Sequence, residues 1–235
     1  MPVPLLELLQ VSKSYLSGDV QVPVLKDASL QIFAGESAAI TGPSGSGKTT
    51  ILNLLGTLDL PDSGMVQISG RDIASLAKQE IAQLRNLMIG FVFQSHHLLP
   101  HCTVLENVLV PTLAQGGRAS DMAMDRAKAL LNRVGLAHRA EHLPSRLSGG
   151  ERQRVAVVRA LINSPKIILA DEPTGALDRA SAAEIGLLLS ELNNIDHVTV
   201  VVVTHSQELA ARFNRRIEVQ AGKLIELSRS TSTHS

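Results

Sequence analysis

Apolar and polar positions alternate along the chain in short segments whose period predicts strands and helices in turn. The predicted strands cover residues 5–15, 22–32, 37–41, 65–68, 89–93, 167–170, 199–204, 215–220 and 223–227. The predicted helices outside the middle of the chain cover residues 47–55, 149–163, 179–193 and 207–211. Strands that alternate with helices predict an α/β fold with a mainly parallel sheet covered on both faces.

The middle of the chain has a different character. Between residues 104 and 139 the apolar positions are mostly Ala, Leu and Met at helical spacing. Gly116 and Gly117 predict a break that divides this stretch into two helices, and Gly135 predicts the end of the second. Pro144 marks the exit. We expect a helical lobe here.

This change of character suggests how the chain is organised. We expect one domain over residues 1–235, with an α/β core formed by about residues 1–94 and 160–227. The helical lobe would occupy about residues 95–159. The last residues, 228–235, are rich in Ser and Thr and are predicted to be disordered.

The amino-acid composition excludes some classes of protein and some kinds of site. The 235 residues are 44% hydrophobic and 19% charged, which is typical of a globular protein large enough to bury a core. Lys+Arg and Asp+Glu both number 22. This balance argues against a nucleic-acid-binding protein, which is normally basic, and we expect no nucleic-acid partner. Cys102 is the single cysteine, so an intrachain disulfide and a cysteine zinc site are excluded.

The apolar runs are too short to cross a membrane. A transmembrane helix needs about 18 consecutive apolar residues, whereas the most apolar run, residues 198–203, suits a buried strand. Residues 1–7 lack the basic and long apolar regions of a signal peptide. We therefore expect a cytoplasmic protein that another protein would have to recruit to a membrane.

A phosphate-binding loop is the strongest chemical signal. The pattern G-x-x-x-x-G-K-[ST] is matched by Gly42, Pro43, Ser44, Gly45, Ser46, Gly47, Lys48 and Thr49. The glycines allow successive N–H groups to point inward, and the following helix adds its positive dipole end. Lys48 would bind the β- and γ-phosphates of ATP, and the Thr49 hydroxyl would coordinate Mg²⁺. Thr50 belongs to the same predicted nucleotide-binding set. A chance match has a probability of about one in a hundred.

A second acidic motif ends the predicted strand at residues 167–170. Asp171 and Glu172 follow that strand, and ligands of parallel sheets bind at the carboxyl ends of strands. Asp171 can hold Mg²⁺ through water, and Glu172 could polarise the attacking water as a general base. A solvated strand end is the structural alternative.

The signature of a family lies between these motifs. Leu147, Ser148, Gly149, Gly150 and Glu151 form a pentapeptide that resembles the LSGGQ signature of ABC ATPases, with Glu in place of the last Gln. Ser148 and Glu151 also form a capping box that opens a helix. The resemblance runs from Tyr15 to about residue 227 and implies the P-loop ABC ATPase fold. That fold has a mainly parallel core, an antiparallel N-terminal β-subdomain and an inserted helical subdomain.

The resemblance also assigns roles to single residues. It implies that Tyr15 stacks on adenine, and that Gln94 contacts Mg²⁺ and water and senses a membrane subunit. Asp178 matches the D-loop, and His205 matches the switch histidine on the γ-phosphate. Ser206 stands where the family usually has Asp, a change that would loosen the support of His205. The nucleotide-binding set implied by the resemblance includes Ser148, Gly149, Gly150 and Asp178; the catalytic set is Lys48, Gln94, Glu172 and His205; the metal set is Thr49, Gln94 and Asp171.

The implied partners follow from the same resemblance. In the family the signature reaches the γ-phosphate held by a second subunit, so the resemblance implies a head-to-tail homodimer around two ATP molecules. It also implies integral membrane subunits that dock between the loop after Gln94 and the helical lobe. Leu98, Leu99 and Val104 are candidates for that contact, with packing inside the lobe as an equal alternative.

A finer resemblance favours one subfamily. Residues 55–59, 94–100, 105–108, 135–142 and 148–154 are similar to the LolD/MacB-type ATPases of lipoprotein-releasing systems and macrolide exporters. This implies ATP-driven release of lipoproteins from the inner membrane, with LolC/LolE-like membrane subunits.

Two alternatives remain from other classes: a regulatory ABC ATPase of the division-associated FtsE type, and a soluble ABC ATPase of DNA repair or translation.

Five histidines have no metal-ligand spacing and are interpreted as surface or lobe residues: His96, His97, His101, His138 and His142.

Overall fold

The computed structural model describes residues 2–115, 117 and 119–227; the tail predicted to be disordered lies outside them. The strands are β1 (Leu6–Ser17), β2 (Val20–Ile32), β3 (Ser37–Thr41), β4 (Ser63–Ile68), β5 (Arg71–Asp72), β6 (Ile89–Phe93), β7 (Ile167–Asp171), β8 (Thr199–Val203), β9 (Arg215–Gln220) and β10 (Lys223–Leu227). The α-helices are α1 (Lys48–Leu55), α2 (Lys78–Met88), α3 (Val104–Leu109), α4 (Asp121–Arg133), α5 (Gly149–Leu161), α6 (Arg179–Asn194) and α7 (Gln207–Ala210).

The strands form two sheets. An antiparallel sheet has the order β2-β1-β4-β5. The second sheet has the order β10-β9-β3-β8-β7-β6, and only its edge pair, β10 with β9, is antiparallel. The predicted mainly parallel core and antiparallel N-terminal sheet are therefore confirmed.

Three apolar clusters fill the molecule. The largest joins the antiparallel sheet to one face of the parallel sheet and includes α1. The second covers the other face, beneath α6. The third lies among α3, α4 and α5. Strands β3 and β8 are buried at every residue, as expected for parallel strands covered on both sides.

Helix α5 belongs to two of these clusters at once. Val155 and Val158 pack with α3 and α4, whereas Val157 and Leu161 pack on the parallel sheet. Because one rigid helix contributes to both, a movement of the helical part relative to the sheet must involve α5.

Helix α2 is not among the elements that the pattern predicts. It begins after Ala77, whose N–H donates to the Glu80 carboxylate at 2.8 Å, and Leu84 and Met88 pack against the largest cluster. The helix buries none of its residues completely. Its apolar stripe is therefore weak, which explains why the periodicity does not reveal it.

The helical stretch in the middle of the chain is shorter in regular helix than predicted. Helix α3 gives way to a 3₁₀ helix over Val110–Gln115, where Pro111 cannot donate an N–H to the preceding turn. Of the predicted break, Gly116 lies outside the described residues, and Gly117 has a left-handed φ of 71°. Helix α4 then starts after the cap Ser120. No helix in the described parts of the chain combines the length and apolar character needed to cross a membrane.

Candidate functional site

Four parallel strands end together at one edge of the sheet. The register pairs Phe93 of β6 with Asp171 of β7, and Asp171 with Val203 of β8. Strand β3 lies on the other side of β8 and leads into the phosphate loop. Gln94, Glu172, His205 and the loop therefore emerge side by side, where ligands bind in sheets of this kind.

The phosphate loop follows β3 and has a backbone that only glycine fits well. Gly42 has φ 148° and Gly47 has φ 100°, both in the region that L-residues avoid. A Cβ at Gly42 would lie 2.9 Å from Ser46 Oγ and from the Val219 carbonyl oxygen, and one at Gly47 would lie 2.7 Å from Val24. Gly47 is also the N-cap of α1. The chain thus turns tightly into a helix N-terminus, as an anion nest requires.

Two polar side chains of the loop have buried polar groups or little exposed surface. Lys48 is only 8% exposed, and its Nζ donates to the carbonyl oxygens of Gly42 and Pro43 at 3.0 and 2.9 Å. Ser46 Oγ is buried without a hydrogen-bond partner among the described residues. A cavity of about 600 Å³ opens beside the loop. A bound phosphate would supply Ser46 with an acceptor and Lys48 with a countercharge.

Thr49 and Asp171 meet across the site. Thr49 Oγ1 lies 3.3 and 3.1 Å from the two oxygens of the Asp171 carboxylate. Burial raises the pKa of Asp171, and its neighbour Glu172 acts in the same direction, against the Thr49 hydrogen bond and the charge of Lys48. A hydroxyl beside a carboxylate is the hard oxygen set that Mg²⁺ prefers, usually completed by substrate phosphates. The pair therefore fits the predicted metal role.

The raised pKa of Asp171 gives a stability prediction. A carboxyl whose pKa is higher in the folded than in the unfolded chain destabilises the fold once it ionises, so stability falls as pH rises through that interval. We expect Asp171→Asn to raise the melting temperature of the nucleotide-free chain at pH 7, by about 2–4 °C for each kcal/mol of relief. The gain should vanish near pH 3. Calorimetry checks this, with the exposed Asp19→Asn as the matched control; a lower melting temperature for Asp171→Asn would contradict it.

Glu172 is held in place by three donors that converge on one oxygen. Its Oε2 accepts hydrogen bonds from Thr204 Oγ1 at 3.2 Å and from the His205 backbone N–H at 3.3 Å, and it lies 2.9 Å from His205 Nδ1. Its φ of 44° is left-handed, which is rare for a residue with a side chain. Such strained positions concentrate at active sites. The geometry suits a carboxylate aimed at a water molecule.

Ser206, the residue after His205, makes two hydrogen bonds within its loop. Ser206 N–H donates to Thr204 Oγ1 at 3.0 Å, and Ser206 Oγ caps α7 by accepting from Leu209 N–H at 3.2 Å. Serine and aspartate are both strong N-cap residues. Ser206 thus caps α7 in the way that an aspartate at this position could.

Tyr15 lies on the antiparallel sheet with its ring fixed. Its hydroxyl donates to Asp59 Oδ2 at 2.8 Å, and the Lys13 ammonium lies 5.3 Å from the ring centroid. Burial raises the pKa of Tyr15, while a hydrogen bond with Thr50 of α1 opposes this shift. The residue is 40% exposed, so its ring can offer a face to a flat ligand near the start of α1.

The signature residues form a second group. Ser148 caps α5: its Oγ accepts from Glu151 N–H at 3.1 Å, while its own N–H donates to Glu151 Oε2 at 2.7 Å. The capping box is thus confirmed. The Ser148 N–H lowers the pKa of Glu151. Gly150 packs against α6, where an added Cβ would lie 2.5 Å from Ser181 Oγ.

Asp178 belongs to this second group. Its carboxylate caps α6, accepting from Ser181 N–H at 3.0 Å and from Ser181 Oγ at 2.7 Å. None of the hydrogen bonds found among the described residues links the signature residues 148–150 or Asp178 to the phosphate loop. The predicted nucleotide-binding residues therefore fall into two separate groups within one chain. Gln94 directly follows Phe93, which pairs with Asp171 of the first group, and its Nε2 lies 3.0 Å from where a Cβ of Gly175 would be.

Some residues of the site are absent from the sequence-based set. Asp59 and Lys13 hold Tyr15, Thr204 holds Glu172, and Gln153 contacts His96 in the loop after Gln94. Gln153 lies two residues after the signature, which could have drawn attention to it. The others are polar residues in loops and strands with no pattern of their own.

Comparison with known proteins agrees with this arrangement. Residues 25–175 match the family model described as ABC transporter. The chain belongs to the ABC transporter family. It is an ATPase of that family, with the phosphate loop and Asp171–Glu172 at one end of its sheet.

Individual proteins of the family are similar to this chain over nearly its whole length. The chain is 52% identical over 220 residues to the lipoprotein-releasing system ATP-binding protein LolD of Shewanella oneidensis, covering 94% of this chain and 95% of that one. It is 49% identical to the macrolide export protein MacB of Shigella flexneri, covering 94% of this chain but 34% of MacB. A dimeric ATP-binding cassette in a post-hydrolysis state with ADP and Pi superimposes with a TM-score of 0.86 at 42% identity, covering 95% of this chain and 99% of that one.

Proposed function

We propose that this chain is the ATPase subunit of a transporter that releases lipoproteins from the inner membrane. It would work at the cytoplasmic face, as a homodimer bound to integral membrane subunits of the LolC/LolE type. The observation that carries the proposal is the 52% identity to LolD across almost the full length of both chains.

The two separate groups of nucleotide-binding residues support the homodimer. The phosphate loop and Glu172 lie at the sheet edge, whereas Ser148–Gly150 lie at the start of α5, where Ser148 is exposed and Gly150 is buried. A helix N-terminus with free N–H groups attracts phosphate. If each signature faced the phosphate loop of a second copy, two ATP molecules would be enclosed between identical chains, as a twofold arrangement requires. The dimeric form of the similar cassette agrees with this arrangement.

The proposed chemistry assigns each group a role. Lys48 and the loop N–H groups bind the phosphates, and Tyr15 stacks on the base. Mg²⁺ held by Thr49, Asp171 and Gln94 would neutralise charge on the β- and γ-phosphates. Glu172 takes a proton from the attacking water, and His205, 70% exposed at its side chain, faces the γ-phosphate.

A groove suits the contact with a membrane subunit. A cavity of about 430 Å³ lies between α2, the 3₁₀ helix at Val110–Gln115 and α5, and its lining includes Arg85, Phe91 and Pro111. Among the apolar residues considered from the sequence, Val104 is fully buried and Leu98 packs in the lobe cluster, so packing explains both. Leu99 is 46% exposed and remains a contact candidate.

The groove gives a prediction. Val110 lines it and is 36% exposed. We expect Val110→Asp to reduce recovery of membrane subunits with the chain at least tenfold, because a charge would have to be desolvated on binding. Quantitative mass spectrometry of the co-purified proteins measures this. Ile195→Asp, at an exposed apolar position away from the groove, is the control; equal recovery with both variants would count against the groove.

The partner itself distinguishes lipoprotein release from its alternatives. Tagged Glu172→Gln protein with ATP, extracted from membranes of its own cells, should bring down membrane subunits with large extracytoplasmic domains together with lipoproteins. Recovery of a division-type membrane partner would favour the FtsE-type alternative, and a subunit fused to its own cassette would favour a MacB-like exporter. Either result would overturn lipoprotein release.

A further inference from the structure

The loop that carries Gln94 is strained. Immediately after it, His96 and His97 both have φ 50°, in the left-handed region. Residues with side chains seldom adopt this conformation, and two in succession are unfavourable. Such a conformation persists only where its surroundings hold it. Residues 94–97, which we call the Gln94 loop, therefore require an external restraint.

Gln153 of α5 supplies one restraint. Its side chain is fully buried, and it spans the loop from one side of Gln94 to the other. Nε2 donates to the Phe93 carbonyl at 3.1 Å, and Oε1 lies 2.8 Å from His96 Nδ1. Because the amide nitrogen is used toward Phe93, the amide oxygen must accept from His96, so Nδ1 carries the proton.

Arg159 supplies a second restraint from the same helix. Its two terminal nitrogens donate to the carbonyl oxygens of His96 and His97, each at 2.6 Å. A planar guanidinium can bond two successive carbonyls at once, and its charge strengthens both bonds. The rings of Phe93 and His97 also pack edge to face, with their centroids 5.2 Å apart.

Gln153 and Arg159 also lie close to two other functional parts of the chain, the signature and the proposed groove. Gln153 lies one turn after the signature residue Gly150 on α5, and Arg159 lines the groove proposed for the membrane subunit. One helix thus touches the signature, the groove and the Gln94 loop. Any displacement of α5 must act on the loop through these two side chains.

We propose that Gln153 and Arg159 are positioning residues for Gln94. Through His96 and His97 they hold the Gln94 loop in the strained conformation that presents Gln94 to the Mg²⁺ and water of the reaction. The proposal rests on the proposed role of Gln94 in hydrolysis.

Three substitutions of His96 separate the hydrogen bond from the strain. Asparagine places an amide nitrogen near the position of Nδ1 and tolerates left-handed φ. Glycine adopts this φ freely but cannot bond Gln153. Alanine lacks the bond and keeps the strain. If the contact positions Gln94, His96→Asn should behave like the unmodified chain, whereas His96→Gly and His96→Ala should not.

The experiment measures steady-state ATP hydrolysis by the purified full chain. We expect His96→Gly to lower kcat about tenfold, equal to about 1.4 kcal/mol of transition-state stabilisation. KM for ATP should change less than twofold, because the phosphate loop and Tyr15 are untouched. Arg159→Lys should show the same pattern, since an ammonium cannot bond both carbonyls as a fork does. His96→Asn should retain kcat within twofold.

His197 is a matched control. It is also a histidine with a left-handed φ, 54°, but it lies exposed in the turn before β8. His197→Gly and His197→Asn should leave kcat and KM unchanged. A normal kcat in His96→Gly, or an equal loss in His96→Gly and His96→Asn, would overturn the positioning role. Glu172→Gln assayed in parallel tests the hydrolytic chemistry separately, so a failure of the proposed function is distinguishable.

Discussion

Glu172→Gln is expected to lower the rate of ATP hydrolysis by about 10²–10⁴-fold, the usual contribution of a general base. Glutamine is nearly the same shape, but its amide cannot take a proton from water. The amide oxygen can still accept from Thr204 Oγ1 and from the His205 N–H, which now bond Glu172 Oε2. The loop geometry should therefore survive, and the loss should fall on the chemical step.

ATP binding should remain in this variant, so the proposed dimer should accumulate with ATP trapped between its subunits. Single-turnover kinetics give the rate of the chemical step, and size-exclusion chromatography with ATP and Mg²⁺ gives the oligomeric state. Glu208→Gln, on the exposed first turn of α7, is the matched control and should hydrolyse ATP normally. Turnover of Glu172→Gln within twofold of the unmodified chain would refute the assignment of Glu172 as base.

Lys48→Ala is expected to weaken ATP binding about 10- to 100-fold. Hydrogen bonds from a charged group contribute about 1.5–3 kcal/mol, and each 1.4 kcal/mol is a factor of ten in affinity. Lys48 Nζ bonds the carbonyls of Gly42 and Pro43. Its removal takes away the only full positive charge inside the loop itself and leaves those carbonyl dipoles facing the phosphates.

Isothermal titration calorimetry with ATP measures this loss directly. Lys26→Ala is the control, because Lys26 is exposed on the rim of the cavity beside the loop and has no counterpart in the phosphate-binding pattern. Thermal unfolding of both variants should confirm that the fold is intact. Equal ATP affinity for Lys48→Ala and the unmodified chain would contradict the phosphate-binding role of the loop.

Much of the fold could be predicted from the sequence, because the signals were local. The strands β3, β7 and β8 are short apolar runs, which is how parallel strands buried on both faces look in any sequence. The capping box at Ser148 and Glu151 fixed the start of α5 for the same reason: a helix cap involves residues three positions apart. Helix α2 was not predicted from the sequence because it lies half-exposed and buries no residue completely.

The same distinction between local signals and tertiary packing applies to the site. The sequence by itself determined the phosphate loop, its lysine and the two carboxylates at the end of β7, since each is a contiguous motif whose backbone is set by its own glycines or strand. Tertiary structure alone decided that Tyr15 is held by Asp59 and Glu172 by Thr204, and that the Gln94 loop is held by α5. Those partners are about 30–60 residues apart in sequence. Sheet order and helix packing bring them together, and no local pattern encodes either.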